Sequence, residues 1–389
     1  MLIRRTGLFV WAAGVVLLLP AGCTRQPVAR PIAQGDVVYF VPTTNKMVAL
    51  TFDDGPNLAA TPRILECLKE QGVIATFFLV GTNVERVAET AQRIRAEGHT
   101  IGNHSYSHKN FSEVSPAVIR EEIEHGAAAI EKIVGVKPEL FRPPYGINGT
   151  GTVEYCKANR ITIVGWSGDG NDWNPHSPQE IADEIINQAV PGDVILLHDG
   201  FETRPMANRL NTIEAVKIVV PRLKEKGFTF VSVPELLRQA GPPVAEFANG
   251  IRLLGYDVPA GKPVSQGDAI YVRYFWDVPS ALNRKPIAGT VKFETASGFS
   301  FEDNHQMPYQ DEVRQMPVKK VMVVPPGAPA GDYSCRVGVF DPEQPKGLRR
   351  IGLSAAVVTR KNHVVLPISL KVVPAQPKEG KQTNAAGTN

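Results

Sequence analysis

Between Met47 and Ala240, short runs rich in β-branched and aromatic residues alternate with longer stretches of helical periodicity. The expected strands are Met47–Phe52, Val73–Leu79, a short run at Thr100–Gly102, Leu140–Phe141, Ile161–Trp166, Asp193–Leu197 and Phe228–Val233. The expected helices are Pro62–Glu70, Val84–Glu97, Pro116–Ile133, Pro178–Gln188 and Asn208–Lys226. Such alternation builds parallel strands with helices outside, as a doubly wound sheet or a barrel.

The pattern stops near Ala240. Gly241-Pro242-Pro243 reads as a linker and an exposed joint, and beyond it the helical periods vanish. Ala269–Trp276, Thr290–Glu294, Lys319–Val324, Tyr333–Phe340 and Val364–Val373 are strand-like and separated by Pro and Gly, the pattern of a small β-sandwich. The expected layout is a signal at 1–23, a polar tether at 24–45, an α/β domain at 46–240, the sandwich at 241–374 and a disordered tail at 375–389. In the signal, Arg4 and Arg5 precede an apolar run from Leu8 to Leu19, and Pro20-Ala21-Gly22-Cys23 follows. That ending resembles a bacterial lipobox with Cys23 as the lipidated residue, although Pro20 stands where leucine is usual. The chain is therefore expected to be exported and anchored in the cell envelope by lipid.

A formal net charge of +3 leaves no nucleic-acid footprint. The four cysteines are far apart and lack any C-x-x-C pair, which argues against a zinc ribbon or disulfide scaffold. Cys67 and Cys156 stand among apolar residues as small core side chains.

Five polar clusters fall at or just beyond expected strand ends: Asp53-Asp54, His104 to His108, Arg142 to Gly146, Asp169 to Trp173, and His198. In parallel α/β folds, sites assemble where the carboxyl ends of strands converge. Singly, each cluster has an ordinary explanation. Paired aspartates start turns or cap helices, histidines at i, i+4 share a helix face, and a tryptophan packs in a core. Five such accidents at one end of one sheet are improbable. His104, His108 and one aspartate could hold a divalent metal with an open position for water, while the second aspartate takes the water's proton. His198, partnered by a carboxylate such as Asp172, suits an acid that protonates a leaving amide nitrogen. Arg142 would keep the base ionised.

The string Thr51-Phe52-Asp53-Asp54-Gly55-Pro56, followed in order by H-S-x-x-H, R-x-P-Y-G, D-x-x-D-W and L-x-H, resembles the polysaccharide deacetylase family, carbohydrate esterase family 4 or the NodB homology domain. The resemblance covers residues 46–240. It implies a distorted (β/α) barrel, with Asp53 as base, Asp54, His104 and His108 as metal ligands, and Arg142 orienting Asp53. It further implies an oxyanion contact around Tyr145, Asp172 tuning the acid His198, and Trp173 and Leu196 walling an acetyl pocket. Asp169 is left with shaping its loop, and His176 is taken as a rim residue. The strings around Gly267-Asp268 and Gly331-Asp332-Tyr333 resemble accessory sandwiches on bacterial surface-glycan proteins. In that sandwich Tyr271, Tyr274, Phe275 and Trp276 put rings on both strand faces, so one of them could face outward to sugar.

The expected activity is removal of N-acetyl groups from an N-acetylglucosamine polysaccharide, with zinc, cobalt or nickel as cofactor. The expected partners are the acetylated glycan and, through the anchor, a membrane; no protein partner is legible. An O-acetyl esterase, a catalytically silent glycan-binding lipoprotein and an envelope scaffold are the alternatives. Retention of both Asp53 and His198 counts against a silent binder.

Overall fold

The computed structural model describes residues 32, 34–204, 206–258, 263–279, 282, 285–306, 318–343, 353–356, 359–360 and 363–375. The signal, Cys23 and nearly all of the tail lie outside them. No helix among the described residues is long and apolar enough to cross a membrane.

The first half is a curled parallel sheet wrapped by helices, a distorted and unclosed (β/α) barrel. Its strands are β1 Val37–Val38, β2 Met47–Gly55, β3 Thr76–Leu79, β4 Thr100–Asn103, β5 Leu140–Phe141, β6 Thr162–Val164, β7 Gly168–Asp169, β8 Val194–His198 and β9 Thr229–Phe230. They run in the order β1-β6-β5-β4-β3-β2-β8-β7, with β9 added beside the start of β2. Around the sheet stand α1 Thr61–Glu70, α2 Gly81–Arg86, α3 Ala88–Ala96, α4 Pro116–Val134, α5 Thr152–Ala158, α6 Pro178–Gln188, α7 Leu210–Glu225 and α8 Val233–Arg238. Val48, Leu50, Phe52, Phe77, Ile195 and Leu197 pack against apolar faces of these helices in one buried core.

Local chemistry sets the helix limits. Ser115 caps α4, Pro116 opens it without wasting an amide hydrogen, and Gly135 closes it at φ 73°. Ser177 and Glu180 form a reciprocal capping box at the start of α6. Three expectations change. Residues 37–38, expected in the tether, pair with Ile163 and Val164 and belong to the sheet. The helix expected over Val84–Glu97 is two helices broken at Val87, and the strand expected over Phe228–Val233 gives way to α8.

The second half is a two-sheet sandwich. One sheet has the order β16-β13-β11-β10-β18, from Val318–Val323, Ala269–Asp277, Arg252–Asp257, Ala245–Phe247 and Leu353–Ala356. The other has the order β12-β20-β17-β14-β15, from Val264–Ser265, His363–Val373, Gly331–Phe340, Ala288–Glu294 and Ser300–Gln306, with β19 Thr359–Arg360 against β20. Alternation of side chains sends Ile270, Val272, Tyr274 and Trp276 of β13 inward to meet Val291, Phe293, Tyr333, Val337 and Leu370. On the opposite face of β13, Phe275 stacks on Phe40 of the barrel at 3.9 Å, and Tyr271 is exposed.

The joint is tied down as well. The Gly241 amide donates to the Pro42 carbonyl at 2.6 Å. The Arg273 guanidinium donates to the Gln188 carbonyl and lies 3.9 Å from Asp193, so the sandwich is docked on the barrel beside the start of β8.

Candidate active site

The strand register places the polar clusters level with one another. Asp53 on β2 pairs directly with His198 on β8, and Asn103, just before His104, pairs with Phe141, just before Arg142. Adjacent residues of a regular strand face opposite sides of the sheet, so Asp53 and Asp54 should diverge. A bulge between Asp53 and Gly55, with Asp54 at φ 72°, turns the second carboxylate back toward the first. Gly55 is required at this point, because a Cβ there would lie 2.2 Å from an Asp199 carboxylate oxygen.

The two histidines meet by a different route from the one their spacing suggested. Residues 104–108 form a loop, not a helix face. Ser105 and His108 adopt left-handed backbone, φ 66° and 59°, and fold the loop on itself. Glu122 of α4, only 4% exposed, holds the loop from below by accepting from the Ser107 amide and hydroxyl at 2.7 Å each. Burial works to raise the Glu122 pKa, but these two bonds and the Lys109 ammonium at 3.0 Å lower it. Left-handed non-glycine residues cost energy and persist where the surroundings enforce them, often at functional sites.

Asp54, His104 and His108 form a buried group whose ligand atoms all lie within 4.8 Å of one another. Asp54 Oδ1 is 3.0 Å from His108 Nε2 and 3.5 Å from His104 Nε2. Tetrahedral bonds of about 2.0–2.1 Å place ligand atoms about 3.4 Å apart, so the spacing fits a divalent metal of zinc's size. The tautomer fits too. His104 Nδ1 stands 2.7 Å from the Arg142 carbonyl, an acceptor only, so Nδ1 carries the proton and Nε2 presents its lone pair. Burial opposes ionisation of Asp54, but the neighbouring histidines hold its pKa well below the usual carboxylate range.

Asp53 is fixed from the other side. Arg142 Nη1 donates to Asp53 Oδ1 at 2.7 Å and to the Thr51 hydroxyl at 2.8 Å. Its Nε and Nη2 donate to the Val164 and Gly165 carbonyls at 2.9 Å, and the guanidinium lies 4.1 Å over the Phe78 ring. This wholly buried cation has one orientation available, so the Asp53 carboxylate does as well.

His198 completes the floor. Its Nδ1 is 2.7 Å from Asp172 Oδ1, while Asp172 Oδ2 accepts from the His198 amide at 2.9 Å and the Thr212 hydroxyl at 2.6 Å. Burial would lower the His198 pKa, but the Asp172 carboxylate, with help from Asp54 and Asp53, pushes it up to about 9. Arg209 reaches the carbonyls of Gly200 and Asp172 and braces both loops.

At the rim, the Tyr145 ring stands edge-on to His108 with centroids 4.7 Å apart, and Trp173 is exposed. Leu196 is buried in β8 on the same strand face as His198. Asp169 accepts from the Asn171 amide and the Trp166 indole, which is the loop-shaping part expected of it. Asn83, Glu122, Asp199, Arg209 and Thr212 were not singled out from the sequence, because each acts through a partner distant in the chain. Asn83 shows the type: its Nδ2 donates to the Asp54 carbonyl at 2.9 Å and the Glu202 carbonyl at 2.7 Å.

A sequence model of the family described as polysaccharide deacetylase matches residues 40–164. A peptidoglycan-N-acetylglucosamine deacetylase of Bacillus cereus is 38% identical over 197 residues, 51% of this chain and 70% of that protein. The chain belongs to the polysaccharide deacetylase family. The chain is a hydrolase of that family, and its named relatives are polysaccharide deacetylases. A second deacetylase of the same name from Bacillus cereus is 36% identical over 206 residues, covering 52% of this chain and 94% of that one. A solved structure of a peptidoglycan N-acetylglucosamine deacetylase, in complex with 4-naphthalen-1-yl-N-oxidanyl-benzamide, superposes with TM-score 0.50 at 36% identity, over 53% of this chain and 94% of that one. The polysaccharide deacetylase likeness thus resides in the barrel.

Proposed function

We propose that this deacetylase is an exported, metal-dependent enzyme that removes N-acetyl groups from an N-acetylglucosamine polymer of the cell envelope, with Asp53 as base and His198 as acid. One observation carries the reading. Asp53 and His198 face each other across paired strands, each with its own counter-ion, beside the Asp54–His104–His108 group. A divalent ion held by those three residues, zinc above cobalt or nickel, would acidify water and polarise the amide carbonyl. Asp53, aimed by Arg142, accepts the proton of the attacking water. The backbone at Tyr145 donates to the developing oxyanion. Trp173 and Leu196 wall the acetyl group. His198, protonated below about pH 9, passes its proton to the departing nitrogen, and Asp172 steadies the imidazolium. The same two groups thus accept one proton and deliver another on opposite sides of the scissile bond. Attachment through Cys23 would keep the enzyme beside its substrate.

The test is acetate release by the metal-loaded protein from a panel of N- and O-acetylated glycans. Release from N-acetylglucosamine oligomers is expected. Release from O-acetyl esters alone, or from nothing, would overturn the reading.

A further inference from the structure

Two residues at the mouth of the site are held in costly backbone conformations: Tyr145, whose backbone the chemistry above uses, and Glu202, which it does not. Tyr145 has φ 58° and Glu202 has φ 50°, and neither is glycine. Their side chains meet: the Tyr145 hydroxyl donates to Glu202 Oε1 at 3.1 Å. Burial and the Glu202 carboxylate push the Tyr145 pKa up to about 12, so the phenol remains a donor. The bridge is anchored at both ends. The Tyr145 ring packs edge-on to His108, and the Glu202 carbonyl is held by the same Asn83 amide that holds the Asp54 carbonyl.

Nearby cations are engaged elsewhere. Arg86 donates to the Thr203 carbonyl, Arg204 lies 4.5 Å over the Phe201 ring, and Arg209 is committed to the Gly200 and Asp172 carbonyls. Glu202 thus has no ion-pair partner among the described residues, and through Tyr145 it stands at the rim beside His108.

We propose that Glu202, positioned by Tyr145, is a charge-selective rim that admits neutral N-acetylhexosamine units and rejects units bearing their own carboxylate. The inference rests on the deacetylase reading above and narrows its substrate class. Hydroxyls of a neutral sugar can donate to Glu202 and to the phenol oxygen. A lactyl ether carboxylate on the sugar would instead face a like charge at short range, a juxtaposition that favours the wrong partner's departure.

Two soluble substrates of equal length decide it: a chitotetraose, and an oligosaccharide whose acetamido sugar carries a lactyl carboxylate. In Glu202→Gln the amide oxygen still accepts from Tyr145 but the charge is gone. The ratio of kcat/KM, neutral over acidic, is expected to fall about tenfold in this variant, and to fall in the parent as salt is added. Tyr145→Phe keeps the charge and should retain most of the preference. Binding of both oligosaccharides to Asp53→Asn protein, with and without Glu202→Gln, gives the same comparison without turnover. An unchanged ratio in kinetics and in binding overturns the charge-selective rim. Absence of turnover on every substrate, with the binding ratio still shifting, would instead overturn the deacetylase reading alone.

Discussion

Barrel and sandwich each contain an Asp–His pair of nearly the same length, with one partner of each pair buried. In the barrel, His198 Nδ1 stands 2.7 Å from Asp172, and in the sandwich His305 Nδ1 stands 3.0 Å from Asp303. Their acidities move in opposite directions. His198 is raised to about 9, whereas burial lowers His305 despite its carboxylate. The second nitrogen accounts for the difference in role. His305 Nε2 accepts from the Trp276 indole, which can only donate, so His305 is neutral with both nitrogens used. His198 spends one nitrogen on Asp172, and its side chain keeps 14% exposure toward the mouth of the barrel. An Asp–His pair is thus not a site in itself; it becomes one when the far nitrogen is left for a substrate and further carboxylates converge on it.

The largest contrast should come from removing each histidine. His198→Ala is expected to lower turnover on an N-acetyl substrate by about 10²–10⁴-fold, the usual worth of a positioned acid. His305→Ala should leave turnover alone and lower the melting temperature by several degrees, since it strands the Trp276 donor and the Asp303 acceptor at a cost of about 1–3 kcal/mol. Equal kinetic losses in the two variants would erase the distinction.

A smaller effect separates the pairs by pH. His198 must be protonated to act, so activity should fall as pH rises through about 9. Asp172→Asn removes the main cause of the upward shift, and the alkaline limb should move toward about 6.5. The same linkage gives the sign for stability. A histidine with its folded pKa raised contributes fully below about pH 6.5 and loses that contribution as pH rises through about 9. An alkaline limb that stays in place in the variant assigns it to another group.

The weakest expected effect on chemistry lies at the domain boundary. Arg273 is buried between the two halves, beside Asp193, Asp257 and the Gln188 carbonyl. Arg273→Ala should lower stability by about 3 kcal/mol, because it leaves Asp193 buried without its cation, and should change kcat little. A large loss of kcat with an unchanged melting curve would mean that docking shapes the site through β8.

The parts of the fold that local chemistry decides were legible in the sequence. The capped helix starting at Pro178 and the β13 run of inward Ile270, Val272, Tyr274 and Trp276 follow from capping and period-two alternation. Features decided by partners far along the chain were not. The short β7 at Gly168–Asp169 carries too little periodicity to read, and α5 follows a glycine-rich stretch that suggests a loop. The site divided in the same way. Asp53, Asp54, His104, His108, Arg142, Asp172 and His198 could be named because each is a chemically committed type at a strand end. Their convergence depends on the bulge at Asp54, the left-handed turn at His108 and the Glu122 brace, none of which has a local signature. The ordinary explanation of the His104–His108 spacing, a shared helix face, does not hold, since i, i+4 spacing also suits a tight loop.

The central claim is that two adjacent carboxylates on one strand do different work, Asp54 holding the ion and Asp53 moving the proton. Metal content per chain, measured beside acetate release in the parent, Asp53→Asn and Asp54→Ala proteins, tests it directly. About one divalent ion per chain is expected in the parent and in Asp53→Asn, with turnover lost in the latter, and little or none is expected in Asp54→Ala. An Asp53→Asn protein emptied of metal beside a loaded Asp54→Ala protein, or full activity in a metal-free parent, would contradict the account.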